Sequence, residues 1–305
     1  ARMCGVLGME GRSVAVNQRG EIDLATLEQE IARGGVGTVV LTAGTTGYGV
    51  VDDVEAVVRL RQRYDFRIHI DAAYGGFFRV LQGQPLDDAV YRRLLAIREC
   101  DSVVVDPHKH GLQPYGCGAV LLRDPRVGRF YRHDSPYTYF TSDELHLGEI
   151  SLECSRAGAA AGALWLTLKL LPLAAHHGFG PILKATLRAA QRLAAAIEKS
   201  KAFVLYREPQ LDVVTFYPRA DRASEVDALS SALLKHLMRD TDDPVFLSLL
   251  KVDASDLTHK GVTADVPEVR ILRSVLMKPE HEHVAGSLFG RLTDELNRMR
   301  PNGSV

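Results

Sequence analysis

The sequence predicts an α/β fold: a mostly parallel sheet covered on both faces, followed by a smaller α+β unit. Two features of the chain point there. Short, nearly continuous apolar runs, Gly37–Thr42, Arg67–Asp71 and Ser102–Asp106, alternate with amphipathic helical segments through the first half. Beyond the loop around Tyr137 the pattern changes to long helices and short strands, which fits a second unit. The boundary is expected near residue 160, giving a large domain over 1–160 and a connecting helix with a small C-terminal domain over 161–305.

Each element has a local cause. Val14–Val16 has the composition of a short strand, and Asp23 is placed to cap a helix with Leu24, Leu27 and Ile31 on one face. The run Gly37–Thr42 feeds Ala43-Gly-Thr-Thr-Gly-Tyr-Gly49, too glycine-rich for helix or strand. Asp52 or Asp53 caps the next helix, whose apolar side is Val54, Val57, Val58 and Tyr64. The strand Arg67–Asp71 ends at Ala72-Ala-Tyr-Gly-Gly76. A helix over Asp87–Ile97 leads to Ser102–Asp106, and Cys117–Arg123 supplies a fourth strand. Helices over Ala157–Leu171, Ile182–Lys199, Ala223–Met238 and Val284–Arg298 then alternate with strands Phe203–Tyr206, Val213–Phe216 and Val269–Met277.

Composition removes several function classes. The 305 residues are 46% hydrophobic and 25% charged, so a sizeable core is available and a disordered or fibrous chain is excluded. Lys+Arg 37 against Asp+Glu 38 leaves no large field of either sign, which argues against nucleic acid or an anionic membrane as partner. Cys4, Cys100, Cys117 and Cys154 lie far apart without a CxxC pair, the pattern of reduced thiols in a cytoplasmic protein. The opening residues show neither the basic nor the apolar region of a secretory leader. The apolar stretch Ala157–Ala175 contains Lys169 and Pro172 and is half Ala and Gly, so it reads as a buried or interface helix rather than a membrane span. His69-x-Asp71, His108-x-His110 and His281-x-His283 occur without an HExxH or a ligand triad, so no metal site is expected.

Parallel sheets bind ligands just beyond the carboxyl ends of their strands. Here those positions hold Thr45, Thr46, Asp71 and the run Asp106-Pro-His-Lys-His110. Lys109 follows Pro107 closely and so stands in a loop, where enclosure by apolar strands would favour the neutral, imine-forming amine. Asp71 ends an apolar strand, and a carboxylate there is costly to bury unless a cation meets it. The protonated pyridine nitrogen of pyridoxal 5'-phosphate is such a cation, and the small Ala72 and Ala73 leave a flat surface for its ring. Thr45 and Thr46 offer hydroxyls and amides to a cofactor oxygen.

The segments Thr42–Asp52, His69–Gly76 and Asp101–Lys109, carrying HxDAA, GG and PHK in this order, resemble the pyridoxal phosphate-dependent group II amino acid decarboxylases. That family includes glutamate, aromatic amino acid, cysteine sulfinate and tyrosine decarboxylases. Similarity extends through Cys117–Arg123, Ser155-Arg156 and Leu272-Arg273. The resemblance implies a fold-type I large domain, a transferase-like mostly parallel sheet, with a small α+β C-terminal domain. It implies that Lys109 forms the imine with the cofactor, Asp71 pairs with the pyridine nitrogen and Ala73 packs on the ring. Thr46 would contact the cofactor, His108 would lie beside its phosphate and the substrate carboxylate, and Arg156 would be near the active site. Asp106 stands where Asn is common in the family.

By the same resemblance, the expected reaction is decarboxylation of an L-amino acid to its amine, with a mobile-loop residue such as Tyr137 or Tyr139 returning the proton. Other chemistry on the same cofactor (transamination, β-elimination, aldehyde synthesis) and a non-catalytic decarboxylase-like subunit are the alternatives. A homodimer is expected, with small residues Ala157–Ala163 and the bulkier Trp165 and Leu168 at the interface, and the Tyr137 loop reaching the partner's Lys109. Family members carry a segment ahead of the point where this sequence starts, and residues 1–36 do not resemble it. That N-terminal segment, as a separate polypeptide partner or a further part of the same gene product, is therefore expected to be needed for full activity.

Overall fold

The computed structural model describes residues 2–130 and 158–300. After α1 (Arg2–Val6), the strand expected at Val14–Val16 is reduced to one bridge between Val16 and Ile22. The turn from Asn17 to Glu21 closes that bridge directly. Asp23 caps α2 (Leu24–Ala32) by accepting from the Thr26 amide at 2.8 Å. β1 (Thr38–Thr42) follows, and Asp53 caps α3 (Val54–Leu60) through the Ala56 amide. Asp52 does something else. Its buried carboxylate accepts from Ile22 N at 2.6 Å and Thr42 N at 2.7 Å, and burial raises its pKa.

β2 (Arg67–Asp71), α4 (Asp88–Ala96), β3 (Ser102–Val105) and β4 (Ala119–Leu122) complete the first sheet, in the order β1-β2-β3-β4. The first three strands are parallel and β4 is antiparallel. In register, Thr42 pairs with Asp71 and Asp71 with Val104, so the strands end together. Leu41, Ile68 and Ile70 are fully buried under α2, α3 and α4, each contributing on the order of 2 kcal/mol by leaving water. The other face differs from expectation, with Val40 59% exposed and Val120, Leu121 and Leu122 open as well. The helices between the strands all pack on the Leu41 side, so within the described residues only one face is well covered.

α5 (Ala159–Leu170) has no fully buried residue; Leu168, expected at an interface, packs partly buried against the chain's own first core, while Trp165 stays exposed. α6 (Phe179–Glu198) ties the halves together. Its Phe179, Leu183 and Leu187 enter the core beneath the first sheet, while Leu193, Ala194 and Ile197 enter a second core. That second core lies against an antiparallel sheet of β5 (Phe203–Arg207), β6 (Val213–Pro218), β8 (Glu268–Val275) and β7 (Ser248–Asp253), in that order. α7 (Ala223–Arg239) and α8 (His281–Met299) cover it, and Arg188 of α6 grips Glu282 of α8 with two 2.8 Å bonds.

Candidate active site

Three loops leave the carboxyl ends of β1, β2 and β3, and backbone hydrogen bonds knit them together. Ala43 N donates to Asp71 O at 2.8 Å, Gly75 N to Ala43 O at 2.9 Å, Ala72 N to Val104 O at 3.0 Å, and Asp106 N to Ala73 O at 3.3 Å. The approach of the first two loops requires glycine: a Cβ on Gly75 would lie 2.4 Å from the Ala43 carbonyl oxygen. The Lys109 turn is equally tight, since a Cβ on Gly111 would meet Phe77 at 2.5 Å and Pro107 at 2.6 Å. Leu112 in that turn has φ +58°, a left-handed conformation uncommon for leucine and a form of strain found at functional sites.

On this surface stand the residues that the sequence singles out. Thr46 is exposed on the first loop, and its neighbour Thr45 is occupied, its hydroxyl accepting from Val50 N at 3.1 Å. Asp71 is exposed rather than buried, because β2 ends there and none of the described residues folds over it. Its Oδ1 accepts only from Ala73 N, at 3.2 Å, and among the described residues no basic side chain pairs with it. Ala72 is fully buried and Ala73 partly so.

Lys109 corrects the expectation of an amine enclosed by apolar strands. β3 stops at Val105 and Pro107 turns the chain away, so the side chain stands above the sheet, 31% exposed. Its Nζ lies 2.9 Å from Asp106 Oδ2. His108 is held by a 2.8 Å bond from Nδ1 to the Cys117 carbonyl, with Nε2 3.6 Å from the same Asp106 carboxylate. A carbonyl only accepts, so Nδ1 carries a proton and Nε2 faces the site. Tyr137, Tyr139 and Arg156 lie outside the described residues.

Sequence patterns gave no role to five contributors. Asp106 is the partner of Lys109, although its position in a familiar motif drew no weight. Tyr74, His110 and Asp212 form a buried polar cluster directly behind the site. Arg273, half-buried on β8, donates from Nε to Gly47 O at 3.1 Å, beside Thr46. The separations in sequence explain the omission: 102 residues part His110 from Asp212, and 226 part Arg273 from Gly47.

Known proteins share both sequence and fold with this chain. Residues 1–219 match the pyridoxal-dependent decarboxylase conserved domain. An L-tyrosine decarboxylase of Enterococcus faecium is 29% identical over 75% of this chain and 44% of its own length. A probable L-aspartate decarboxylase of Pyrococcus furiosus is 31% identical over 64% of this chain and 50% of its own. The chain thus spans about half the length of these relatives. The structure of mouse CSAD superposes with TM-score 0.77 at 22% identity, over 96% of this chain and 61% of that one. That of Oryza sativa TDC with PLP and tryptamine superposes with TM-score 0.75 at 18% identity, over 97% and 60%. These two establish the fold, and the match over residues 1–219 establishes the family: the chain belongs to the pyridoxal-dependent decarboxylases.

Proposed function

We propose that this chain carries the catalytic lysine of an amino acid decarboxylase, converting an L-α-amino acid to the corresponding amine with pyridoxal 5'-phosphate bound at Lys109. The observation that carries it is the meeting of Thr46, Asp71 and Lys109 on three loops bonded to one another at the carboxyl ends of adjacent parallel strands. These residues fit the cofactor. Among the described residues the open Asp71 carboxylate has only an amide on it, and it suits a cationic ring nitrogen. The Ala73 methyl is a small, flat neighbour for a ring, and the exposed Thr46 offers a hydroxyl.

When bound, pyridoxal phosphate supplies an electron sink for the bonding pair left at the substrate's α-carbon as carbon dioxide departs. The chain's residues hold charge and move protons around it. Asp71 keeps a positive charge on the ring nitrogen. Lys109 Nζ gives and takes a proton, with Asp106 Oδ2 at 2.9 Å orienting it. His108, fixed by the Cys117 carbonyl, would offer Nε2 to the cofactor phosphate or the substrate carboxylate.

The proposed assembly is a homodimer with its interface near the site. Trp165, Leu166 and Leu170 of α5 are all more than half exposed, an apolar surface suited to a second copy. A domain boundary near residue 160 is supported by the position of α6, the helix that enters both cores, just after it. A cytoplasmic setting is supported by the free thiols of Cys4, Cys100 and Cys117. No described helix is long and apolar enough to cross a membrane.

The test combines the protein with pyridoxal phosphate, reduces it with borohydride, and maps the labelled peptide. In parallel, carbon dioxide and amine are quantified from a panel including tyrosine, aspartate and 2,4-diaminobutyrate. The expected result is a pyridoxyl group on Lys109 and equimolar carbon dioxide and amine from at least one amino acid. No label at Lys109, or consumption of amino acid without carbon dioxide, overturns the assignment.

A further inference from the structure

Behind the site lies a polar cluster that the proposed chemistry does not use. Tyr74 stands three residues after Asp71, and His110 directly follows Lys109. Asp212 precedes β6 in the second sheet and is fully buried. The three close a ring of hydrogen bonds. Tyr74 OH donates to Asp212 Oδ1 at 2.6 Å, His110 Nε2 lies 2.7 Å from Asp212 Oδ2, and His110 Nδ1 lies 3.0 Å from the Tyr74 carbonyl. The His110 ring meets Tyr74 and Phe78 edge-on, each at 4.7 Å. Asp212 is itself anchored, its backbone carbonyl accepting from Leu276 N at 2.9 Å.

We propose that Asp212 is a positioning residue for this site. By bonding the Asp71 turn through Tyr74 and the Lys109 turn through His110, it fixes the spacing between the carboxylate and the amine. This rests on the assignment of Asp71 and Lys109 as the cofactor-holding pair. Without the cluster, the direct backbone tie between these turns is the 3.3 Å bond from Asp106 N to Ala73 O, at the long end of the range. The Lys109 turn is strained at Leu112 and crowded at Gly111, so it needs an external brace to stay as it is. Apolar side chains could fill the same volume, but packing alone tolerates sliding. Three directional bonds fix distance and angle together, which a site built on two separate turns requires.

The experiment compares the wild-type chain, Asp212→Asn and Tyr74→Phe, each shown to be folded by far-ultraviolet circular dichroism at the assay temperature. Two quantities are read: the rate of pyridoxyl incorporation at Lys109 with pyridoxal phosphate and borohydride, and the visible circular dichroism per bound cofactor. Incorporation at the exposed Lys201 serves as the internal control. Asp212→Asn should slow labelling of Lys109 about tenfold and reduce the visible signal per cofactor by about half, while leaving Lys201 unchanged. Tyr74→Phe keeps the ring packing and deletes one bond, so it should fall between, at about threefold, and it carries the test if Asp212→Asn does not fold. Folded variants with wild-type labelling and wild-type visible signal overturn the positioning role while leaving the function intact. A wild-type chain that takes no label at Lys109 overturns the functional assignment, and the positioning role falls with it.

Discussion

One carboxylate serves two consecutive site residues: Asp106 Oδ2 lies 2.9 Å from Lys109 Nζ and 3.6 Å from His108 Nε2. Both bearers are partly exposed, with side-chain accessibilities of 20% for Asp106 and 31% for Lys109. A pair so placed contributes little to stability, because water screens it and two flexible side chains must be held. Its effect is directional, aiming the amine.

Asp106→Ala is therefore expected to change unfolding stability by less than about 1 kcal/mol while lowering the decarboxylation rate about tenfold. Urea unfolding and steady-state kinetics on the same preparations check this. A large stability loss with an unchanged rate would show that the carboxylate is structural.

Asp71→Asn removes the charge and preserves the shape. Asp71 is exposed and, among the described residues, bonded only to the Ala73 amide, so the fold should be unaffected. A neutral amide cannot hold the ring nitrogen charged, and the rate should fall by several orders of magnitude. A loss of less than about tenfold, roughly 1.4 kcal/mol of barrier, would falsify the pairing of Asp71 with that nitrogen.

Gly75→Ala tests the knitting of the loops. The added methyl would sit 2.4 Å from the Ala43 oxygen and 2.8 Å from its carbonyl carbon, and backbone cannot swing aside as a side chain does. The cost should be about 2–3 kcal/mol, read as a lower urea midpoint with an unchanged slope. Gly162→Ala on α5, where a Cβ meets nothing within 4 Å, should be neutral or stabilising by about 0.5–1 kcal/mol. Equal effects at the two positions would contradict the close approach.

Much of this was legible in the chain because its causes are local. β2 matches its expected span of Arg67–Asp71, since an apolar run bounded by breakers carries its own limits. Lys109 was found because Pro107 and the preceding strand constrain it within a few residues. β7 has no counterpart in the sequence expectations: Ser248 and Lys251 interrupt the apolar residues from Val245 to Val252, and the strand's limits are set by its ladder to β8, including Lys251 opposite Arg270. The brace behind the site was equally hidden. His110 in a His-x-His pair is unremarkable in sequence, and only folding brings Asp212 to it.

The same aspartate gives the pH dependence. Burial alone would push the Asp212 carboxyl up, but His110 and Tyr74 outweigh it and hold its pKa below the ordinary 3.8. A carboxyl depressed in the folded state stabilises that state above its unfolded pKa, and the benefit is lost as pH falls through the folded value. Replacing Asp212 with Asn deletes that benefit. The deficit of Asp212→Asn relative to wild type should therefore be present at about pH 5 and shrink below about pH 4. Below about pH 5.5 the unfolded chain's histidines are already protonated, so the change down to about pH 3 reports on the carboxylate. Urea midpoints for both proteins at intervals across this range provide the check. A deficit that stays constant to the acid end, or grows, would mean that Asp212 gains nothing from its charge and that the cluster holds by shape alone.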